Sequence, residues 1–132
     1  MAEASPWIAI VDDDPSVLKA LTRLLRTRGF DARTYTSARE FLEVLPGGCP
    51  KCLIGDLHMP GMSGLELLQH LTREGIQIPT IIITAHDDIG VRQRCASAGA
   101  IAFLSKPLQD TSLFDAIDDA IRSARNRSHG PS

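Results

Sequence analysis

Short apolar runs alternate with amphipathic stretches along most of the sequence. Five of the runs have the length of β-strands, and several are apolar at every position, which is typical of strands covered on both faces. The five runs are Trp7–Val11, Ala32–Tyr35, Cys52–Ile54, Thr80–Ile83 and Ala100–Leu104. We therefore predict five strands, several of which lie in the interior.

The stretches between the runs carry helix signals. Asp14 and Pro15 are typical of a helix cap and a first helical residue, and Gly29 marks the end of this first helix. The pairs Ser37–Glu40 and Ser63–Glu66 have the spacing of a capping box at the start of a second and a third helix. Three helices are thus predicted between the first four strands.

Two further helices complete the alternation of strands and helices. A weaker pattern predicts a fourth helix from Ile89 to Ala98, and apolar residues in Leu113–Ile121 predict a fifth. Five strand–helix repeats favour an α/β fold with a parallel sheet, right-handed crossovers and helices on both faces. We expect one domain at residues 7–123, a short N-terminal segment at residues 1–6, and a flexible tail or linker start at residues 124–132.

The composition excludes several classes of function. The 132 residues are 43% hydrophobic and 23% charged, with a formal net charge of −2, which is ordinary for a single globular domain. This balance provides no general basic surface, so we expect that this chain itself binds no nucleic acid. The N-terminus lacks signal-peptide features and no apolar stretch can span a bilayer, so we expect a cytoplasmic protein without membrane contact.

The three cysteines cannot all pair within the chain, which favours a reducing compartment. Cys49 and Cys52 form a C-x-x-C motif, which in other settings indicates redox chemistry or zinc binding. A reactive cysteine of that kind usually opens a helix, whose N-terminus stabilises the thiolate, whereas Cys52 opens a predicted strand. We therefore disfavour a redox or zinc role for this motif.

Polar side chains gather where the predicted strands end. Asp12 and Asp13 follow the first strand, Asp56 the third, Thr84 the fourth and Lys106 the fifth. In an open parallel sheet these ends meet at one edge, where ligands bind. An alternative for the first two acids is that they only favour the dipole of the helix that Asp14 caps. Because charged or polar residues follow four of the predicted strands, we nevertheless favour a single site.

Three carboxylates at one edge repel one another and need cations to offset their charge. Lys106 supplies one positive charge, and a hard divalent cation, most simply Mg²⁺, supplies the rest. A carboxylate beside Mg²⁺ and a lysine is suited to phosphoryl transfer, with the carboxylate as nucleophile. Asp56 is the expected nucleophile because it stands alone before the glycine-rich loop His58–Gly64, whose backbone a phosphate can approach. Asp12 and Asp13 are better placed to hold the metal.

At these residues the sequence resembles bacterial two-component response regulator receiver domains. The matching segments are Val11–Pro15, Asp56–Gly64, Thr84–Ala85, Gly99–Ala100 and Lys106–Pro107, and the resemblance runs from Trp7 to Ser123. The first two segments are most similar to receivers that precede a LuxR-type helix-turn-helix domain. The resemblance implies a flavodoxin-like (CheY-like) doubly wound five-stranded sheet of order 2-1-3-4-5.

The resemblance also implies a role for each acidic residue. Asp56 corresponds to the phosphoacceptor. Asp12, Asp13 and Asp56 correspond to the acids that bind Mg²⁺, with the backbone carbonyl of His58 as a further ligand.

Three more residues correspond to the family's phosphoryl-binding and switch positions. Lys106 would pair with the phosphoryl group, and its peptide bond to Pro107 would be cis. Thr84 would donate a hydrogen bond from its hydroxyl to the same group. Phe103 occupies the switch-aromatic position, which turns inward when Thr84 moves toward the phosphate. Because phenylalanine has no hydroxyl, we expect its outward position to be less favourable in water.

His58 and His86 stand two residues after the phosphoacceptor and two after the threonine. In receivers these two positions line the path of the water that attacks the phosphoryl group. We predict that the two histidines lie on opposite sides of the site mouth and make dephosphorylation pH-dependent near neutrality. The alternative is that both are exposed loop residues with no coupling to hydrolysis.

The resemblance implies a signalling domain and not an enzyme. A sensor histidine kinase would donate the phosphoryl group to Asp56, and phosphorylation would switch the face of the fourth helix, fifth strand and fifth helix. The resemblance also allows a homodimer that forms on phosphorylation. One alternative is the isolated N-terminal regulatory domain of a LuxR-type DNA-binding transcription regulator. A second is a phosphatase similar to haloacid dehalogenases, but their nucleophile follows the first strand, whereas Asp56 follows the third.

Overall fold

Strands and helices alternate in the computed structural model, which describes residues 7–86 and 89–128. The strands are β1 (Trp7–Val11), β2 (Asp31–Tyr35), β3 (Cys52–Asp56), β4 (Thr80–Thr84) and β5 (Ala102–Ser105). The helices are α1 (Pro15–Arg26), α2 (Ala38–Val44), α3 (Gly64–Arg73), α4 (Ile89–Ser97) and α5 (Asp110–Ser128), with a 3₁₀ turn at Leu45–Gly47. The predicted N-terminal segment at residues 1–6 and the last part of the predicted tail, residues 129–132, lie outside the described residues.

The sheet has the predicted topology. All four strand pairings are parallel and the order is β2-β1-β3-β4-β5, which confirms the doubly wound α/β fold. Every residue of β1, β3 and β4 is buried, because helices cover both faces of the middle of the sheet. The carboxyl ends of these three central strands therefore open onto one edge of the sheet.

Apolar clusters hold the helices to the two faces. Helices α1 and α5 cover one face, with Leu21, Leu25, Leu113 and Ile117 in a cluster that includes Ile10, Ile54 and Ile81. Helices α2 and α3 cover the other face, with Phe41, Leu67 and Leu71 in a cluster that includes Ala9, Val11 and Leu53. Helix α4 adds a smaller cluster around Cys95, Leu57 and Ile82. Burial of apolar surface on both faces fixes the sheet beneath the site.

The caps predicted for α1 and α3 are confirmed, whereas at α2 only one of the two hydrogen bonds of the predicted capping box forms. Asp14 caps α1 by accepting a hydrogen bond from a backbone N–H of the first turn, and the pair Ser63–Glu66 forms a complete capping box at α3. At α2 the hydroxyl of Ser37 accepts from Glu40 N at 3.1 Å. The carboxylate of Glu40, however, accepts from Thr36 N at 2.7 Å, one residue before the cap, so the predicted reciprocal bond is absent at this helix.

Element boundaries differ from the prediction near the C-terminus. The fifth strand begins at Ala102 instead of Ala100, because Ala100 N donates to Cys95 O at 3.0 Å and so closes the end of α4 first. Helix α5 continues past residue 123 to Ser128, so part of the stretch predicted as a tail is helical, and the domain boundary itself stays a prediction. In the part of the chain that the structure describes, no helix has the length and apolarity needed to cross a bilayer.

Candidate functional site

Four strand ends carry the candidate residues to one edge of the sheet. Asp12 follows β1, Asp56 and Thr84 are the last residues of β3 and β4, and Lys106 follows β5. Parallel strands end at the same edge, which explains why residues so distant along the chain become neighbours.

Three carboxylates, which we call the acidic cluster, consist of Asp12, Asp13 and Asp56. One oxygen from each lies within 4.8 Å of the others. Asp12 is completely buried and Asp56 is 5% exposed, whereas Asp13 is exposed at the rim. Carboxylate oxygens at this spacing fit a hard divalent cation such as Mg²⁺. Among residues 7–86 and 89–128, no other group of three or more acids, histidines or cysteines is arranged to hold a metal ion.

Lys106 reaches across the acidic cluster. Its Nζ lies 3.1 Å from Asp12 Oδ2 and 3.4 Å from Asp56 Oδ1, and its peptide bond to Pro107 is cis, as the resemblance implies. Burial acts to lower the pKa of Lys106, but the hydrogen bond to Asp12 and the charges of Asp56 and Asp12 outweigh it and raise the pKa above its usual value. The ammonium group therefore stays charged at neutral pH and holds two carboxylates together.

The carboxyl group of Asp56 has a pKa above its usual value. Burial is the main cause that raises the pKa of Asp56, and the charge of Asp12 adds to it. Lys106 and a hydrogen bond from the His58 backbone act in the opposite direction but do not cancel the rise. A desolvated, incompletely neutralised carboxylate at a strand end is a good candidate for a nucleophile that works beside a cation.

The hydroxyl of Thr84 is engaged by the loop that follows β4. Thr84 Oγ1 donates to His86 O at 3.1 Å and accepts from His86 N at 3.0 Å. The single O–H proton of Thr84 is engaged by His86 O, so the predicted donation to a phosphoryl group requires that hydrogen bond to break. The phosphoryl-binding role of Thr84 stays a prediction.

Phe103 lies on β5 beneath the α4 side of the sheet. Its ring is half-buried and packs against the smaller cluster around Cys95 and Ile82. The Arg92 guanidinium carbon lies 4.9 Å from the ring centroid, a cation–π distance. The ring is thus partly covered without a phenolic hydroxyl, and its switch role stays a prediction.

His58 and His86 face each other from two loops. Their ring centroids are 6.0 Å apart with an interplanar angle of 69°, and both residues are exposed. The two rings are therefore in edge-to-face contact. Their placement on opposite sides of the site mouth stays a prediction, and so does their effect on hydrolysis.

One important contact was missed by sequence reasoning. The glycines of the loop before α3 predict room for a phosphate, yet a Cβ on Gly64 would lie 2.5 Å from the backbone oxygen of Asp56. Gly64 therefore lets the start of α3 touch the end of β3. The local signal was weak, because the low helix propensity of glycine matters in a helix interior and less at the first helical residue.

The cysteines are unpaired in the structure. Cys49 is exposed, whereas Cys52 and Cys95 are buried. Burial raises the pKa of the Cys52 thiol to about 12, so this group stays protonated and unreactive. Cys52, the second cysteine of the C-x-x-C motif, therefore offers no thiolate for redox chemistry or metal binding.

Comparison with known proteins agrees with this geometry. The family model for the response regulator receiver domain matches residues 8–118. The chain belongs to this family. The predicted membership is thereby confirmed, and the acidic cluster of this receiver domain coincides with the edge at which its fold brings strand ends together.

Two curated proteins and one solved structure illustrate the similarity. Nodulation protein W of Bradyrhizobium diazoefficiens is 40% identical over 96% of this receiver domain and 56% of the relative. The response regulator protein TodT of Pseudomonas putida is 39% identical over 99% of this chain and 58% of its own. The crystal structure of FixJ-N superposes with a TM-score of 0.83 at 38% identity, covering 91% of this chain and 96% of that one. The chain spans a little more than half the length of the two curated relatives.

Proposed function

We propose that this receiver domain accepts a phosphoryl group on Asp56 in a Mg²⁺-dependent reaction, with a sensor histidine kinase as donor. The observation that carries the proposal is the acidic cluster, whose three carboxylate oxygens lie within 4.8 Å of one another beside the Lys106 ammonium. The fold alone would not support a reaction, because many activities share it. The position of these groups at the strand ends of a receiver domain supports phosphoryl transfer to Asp56.

Different residues of the chain carry out the transfer, the charge neutralisation and the metal binding. An oxygen of Asp56 attacks phosphorus, the bond from phosphorus to the donor's imidazole nitrogen breaks, and that nitrogen keeps the electron pair and takes up a proton. Lys106 offsets charge on the phosphoryl oxygens, while Asp12, Asp13, Asp56 and the carbonyl of His58 would hold the metal. Bound Mg²⁺ supplies further neutralisation of those oxygens.

The switch follows from the hydrogen bonds of Thr84. When the hydroxyl turns toward a phosphoryl group, its hydrogen bond to His86 O must break, and the loop before α4 loses that contact. Space vacated near Thr84 favours an inward position of Phe103, which changes the face formed by α4, β5 and α5. The domain acts in this way as a signalling switch and not as an enzyme.

Incubation with acetyl phosphate and Mg²⁺, followed by intact-mass measurement, tests the proposal. We expect a single phosphoryl adduct that is absent without Mg²⁺ and absent in Asp56→Asn. The matched control is Asp14→Asn, which alters an exposed acid that caps α1 and should keep the adduct. Absence of an adduct on the folded protein, or an adduct on Asp56→Asn, would overturn the proposal.

A second proposal concerns the longer protein. Because the curated relatives are nearly twice as long as the matched region and include the transcriptional regulatory protein FixJ of Rhizobium meliloti, the chain is proposed to be the cytoplasmic N-terminal regulatory domain of a LuxR-type transcription regulator. The DNA-binding part would then lie outside this chain. The sequence of the full gene tests this directly.

A phosphorylation-dependent homodimer is a separate proposal. Light scattering with and without acetyl phosphate tests it.

A further inference from the structure

Two imidazole rings meet above the edge of the sheet that carries the acidic cluster. His58 lies in the loop between β3 and α3, and His86 lies in the loop between β4 and α4. Their centroids are 6.0 Å apart and both residues are exposed. The two loops are separated by a whole strand–helix unit, so the fold itself brings the rings together.

The ligand chemistry of this pair differs from that of the acidic cluster. Carboxylate oxygens favour Mg²⁺, whereas imidazole nitrogens favour ions such as Zn²⁺, Cu²⁺ and Ni²⁺. Two imidazoles on one tetrahedral Zn²⁺, with Zn–N bonds of about 2.0–2.1 Å, have ring centroids about 5 Å apart. The observed 6.0 Å is longer by about an ångström, which rotation of two exposed side chains can supply.

We propose that His58 and His86 together bind a divalent transition-metal ion of the Zn²⁺ class, at a second site distinct from the acidic cluster. Each histidine contributes one ring nitrogen, and water completes the coordination. Because the two ligands come from different loops, the bound ion joins the loop after β3 to the loop after β4.

The bridge has a consequence for the switch. The backbone of His86 makes both hydrogen bonds to the Thr84 hydroxyl. An ion that fixes His86 against His58 therefore stabilises the arrangement in which Thr84 is bonded to the loop. We expect bound Zn²⁺ to slow phosphorylation of Asp56, an effect that rests on the proposed function, whereas ion binding itself does not.

Calorimetric titration of the tag-free chain with Zn²⁺, in excess Mg²⁺ that occupies the acidic cluster, tests the site. We expect one Zn²⁺ per chain, and at least about tenfold weaker binding in His58→Ala and in His86→Ala, since loss of a ligand costs no less than loss of a residue that supports one. His70→Gln, a histidine on α3, is the matched control and should bind as the wild type does. Zn²⁺ should also raise the unfolding temperature of the wild type but not of the two alanine variants.

Unchanged Zn²⁺ affinity in either alanine variant overturns the proposal, and so does binding that disappears only in Asp56→Asn. Thermal unfolding without Zn²⁺ shows that the variants are folded. The rate of adduct formation from acetyl phosphate, with and without Zn²⁺, is measured separately. If no adduct forms on any variant while Zn²⁺ binding still needs both histidines, the proposed function fails and the metal site stands.

Discussion

Lys106 Nζ donates a hydrogen bond to Asp12 Oδ2 over 3.1 Å, which joins the end of β5 to the end of β1. Asp12 is completely buried, so it depends on this cation when no metal is bound. A buried ion pair is weak evidence for net stability, but removal of one partner leaves a buried charge without compensation. The same ammonium is also within 3.4 Å of Asp56, so it couples the metal-binding and phosphoacceptor sides of the site.

Substitution Lys106→Met should destabilise the metal-free protein by about 3 kcal/mol at neutral pH, because the charge of Asp12 is then unpaired. Mg²⁺ should restore more stability to this variant than to the wild type, since the metal replaces the lost cation. Urea unfolding with and without Mg²⁺ measures both effects. Lys19→Met, at an exposed position of α1, is the control, and an equal response to Mg²⁺ in all three proteins would contradict the prediction.

The raised pKa of Asp56 predicts how stability depends on pH without metal. Burial, with the charge of Asp12, makes the folded protein hold the Asp56 proton more tightly than the unfolded chain does. Stability therefore falls as pH rises from about 4, near the unfolded value, through the folded pKa. The Asp56→Asn variant lacks this loss. Its free energy of unfolding should therefore exceed that of the wild type by an amount that grows with pH and then levels off.

Urea unfolding between pH 4 and 7 in a metal-free buffer measures that difference. Asp118→Asn, on the exposed side of α5, controls for the change in net charge. An advantage of Asp56→Asn that is the same at every pH would show that the folded protein does not perturb this carboxyl.

Substitution Gly64→Ala should damage the junction between β3 and α3. The added Cβ would lie 2.5 Å from Asp56 O, so the helix must move away at a cost of about 1–3 kcal/mol in unfolding free energy. Displacement of Asp56 should also slow phosphorylation by acetyl phosphate. Gly47→Ala is the matched control, because its Cβ would have no neighbour within 4 Å. Equal stability of the two variants would show that the contact is easily relieved.

Alkylation at pH 8 should modify one cysteine of the native protein. Cys49 is exposed, whereas burial raises the pKa of Cys52 to about 12 and that of Cys95 above its usual value. Intact mass should therefore show one adduct under native conditions and three in urea. A second native adduct would contradict the closed packing around Cys52 and Cys95.

We predict that hydrolysis of the aspartyl phosphate depends on pH between 6 and 8 through His58 and His86, whose rings face each other from the loops after β3 and β4. The half-life of the phosphoryl group is compared between the wild type and the double variant His58→Asn, His86→Glu. We expect the variant to lose most of the pH dependence. Identical profiles would leave the two histidines without a role in hydrolysis.

Local patterns in the sequence were enough to predict the element order, a parallel sheet and the edge at which the site lies, whereas the strand order was implied by the family resemblance. Apolar runs and cap residues determine strands and helices locally, and the rules for parallel strands then place Asp12, Asp56 and Lys106 at one edge. Errors at this level were confined to boundaries. The start of β5 moved to Ala102 because the turn that ends α4 needs Ala100, a hydrogen bond that no local period reveals.

The specific contacts were decided only by the tertiary structure. The closer bond of Lys106 to Asp12 than to Asp56, the packing of Gly64 on the backbone of Asp56, and the facing rings of His58 and His86 all join distant segments of the chain. Such distances depend on how loops pack once the sheet is formed, whereas residue spacing reports only the local helix or strand. Residue patterns thus predict which groups share the edge of the sheet, and packing sets which of those groups are in contact.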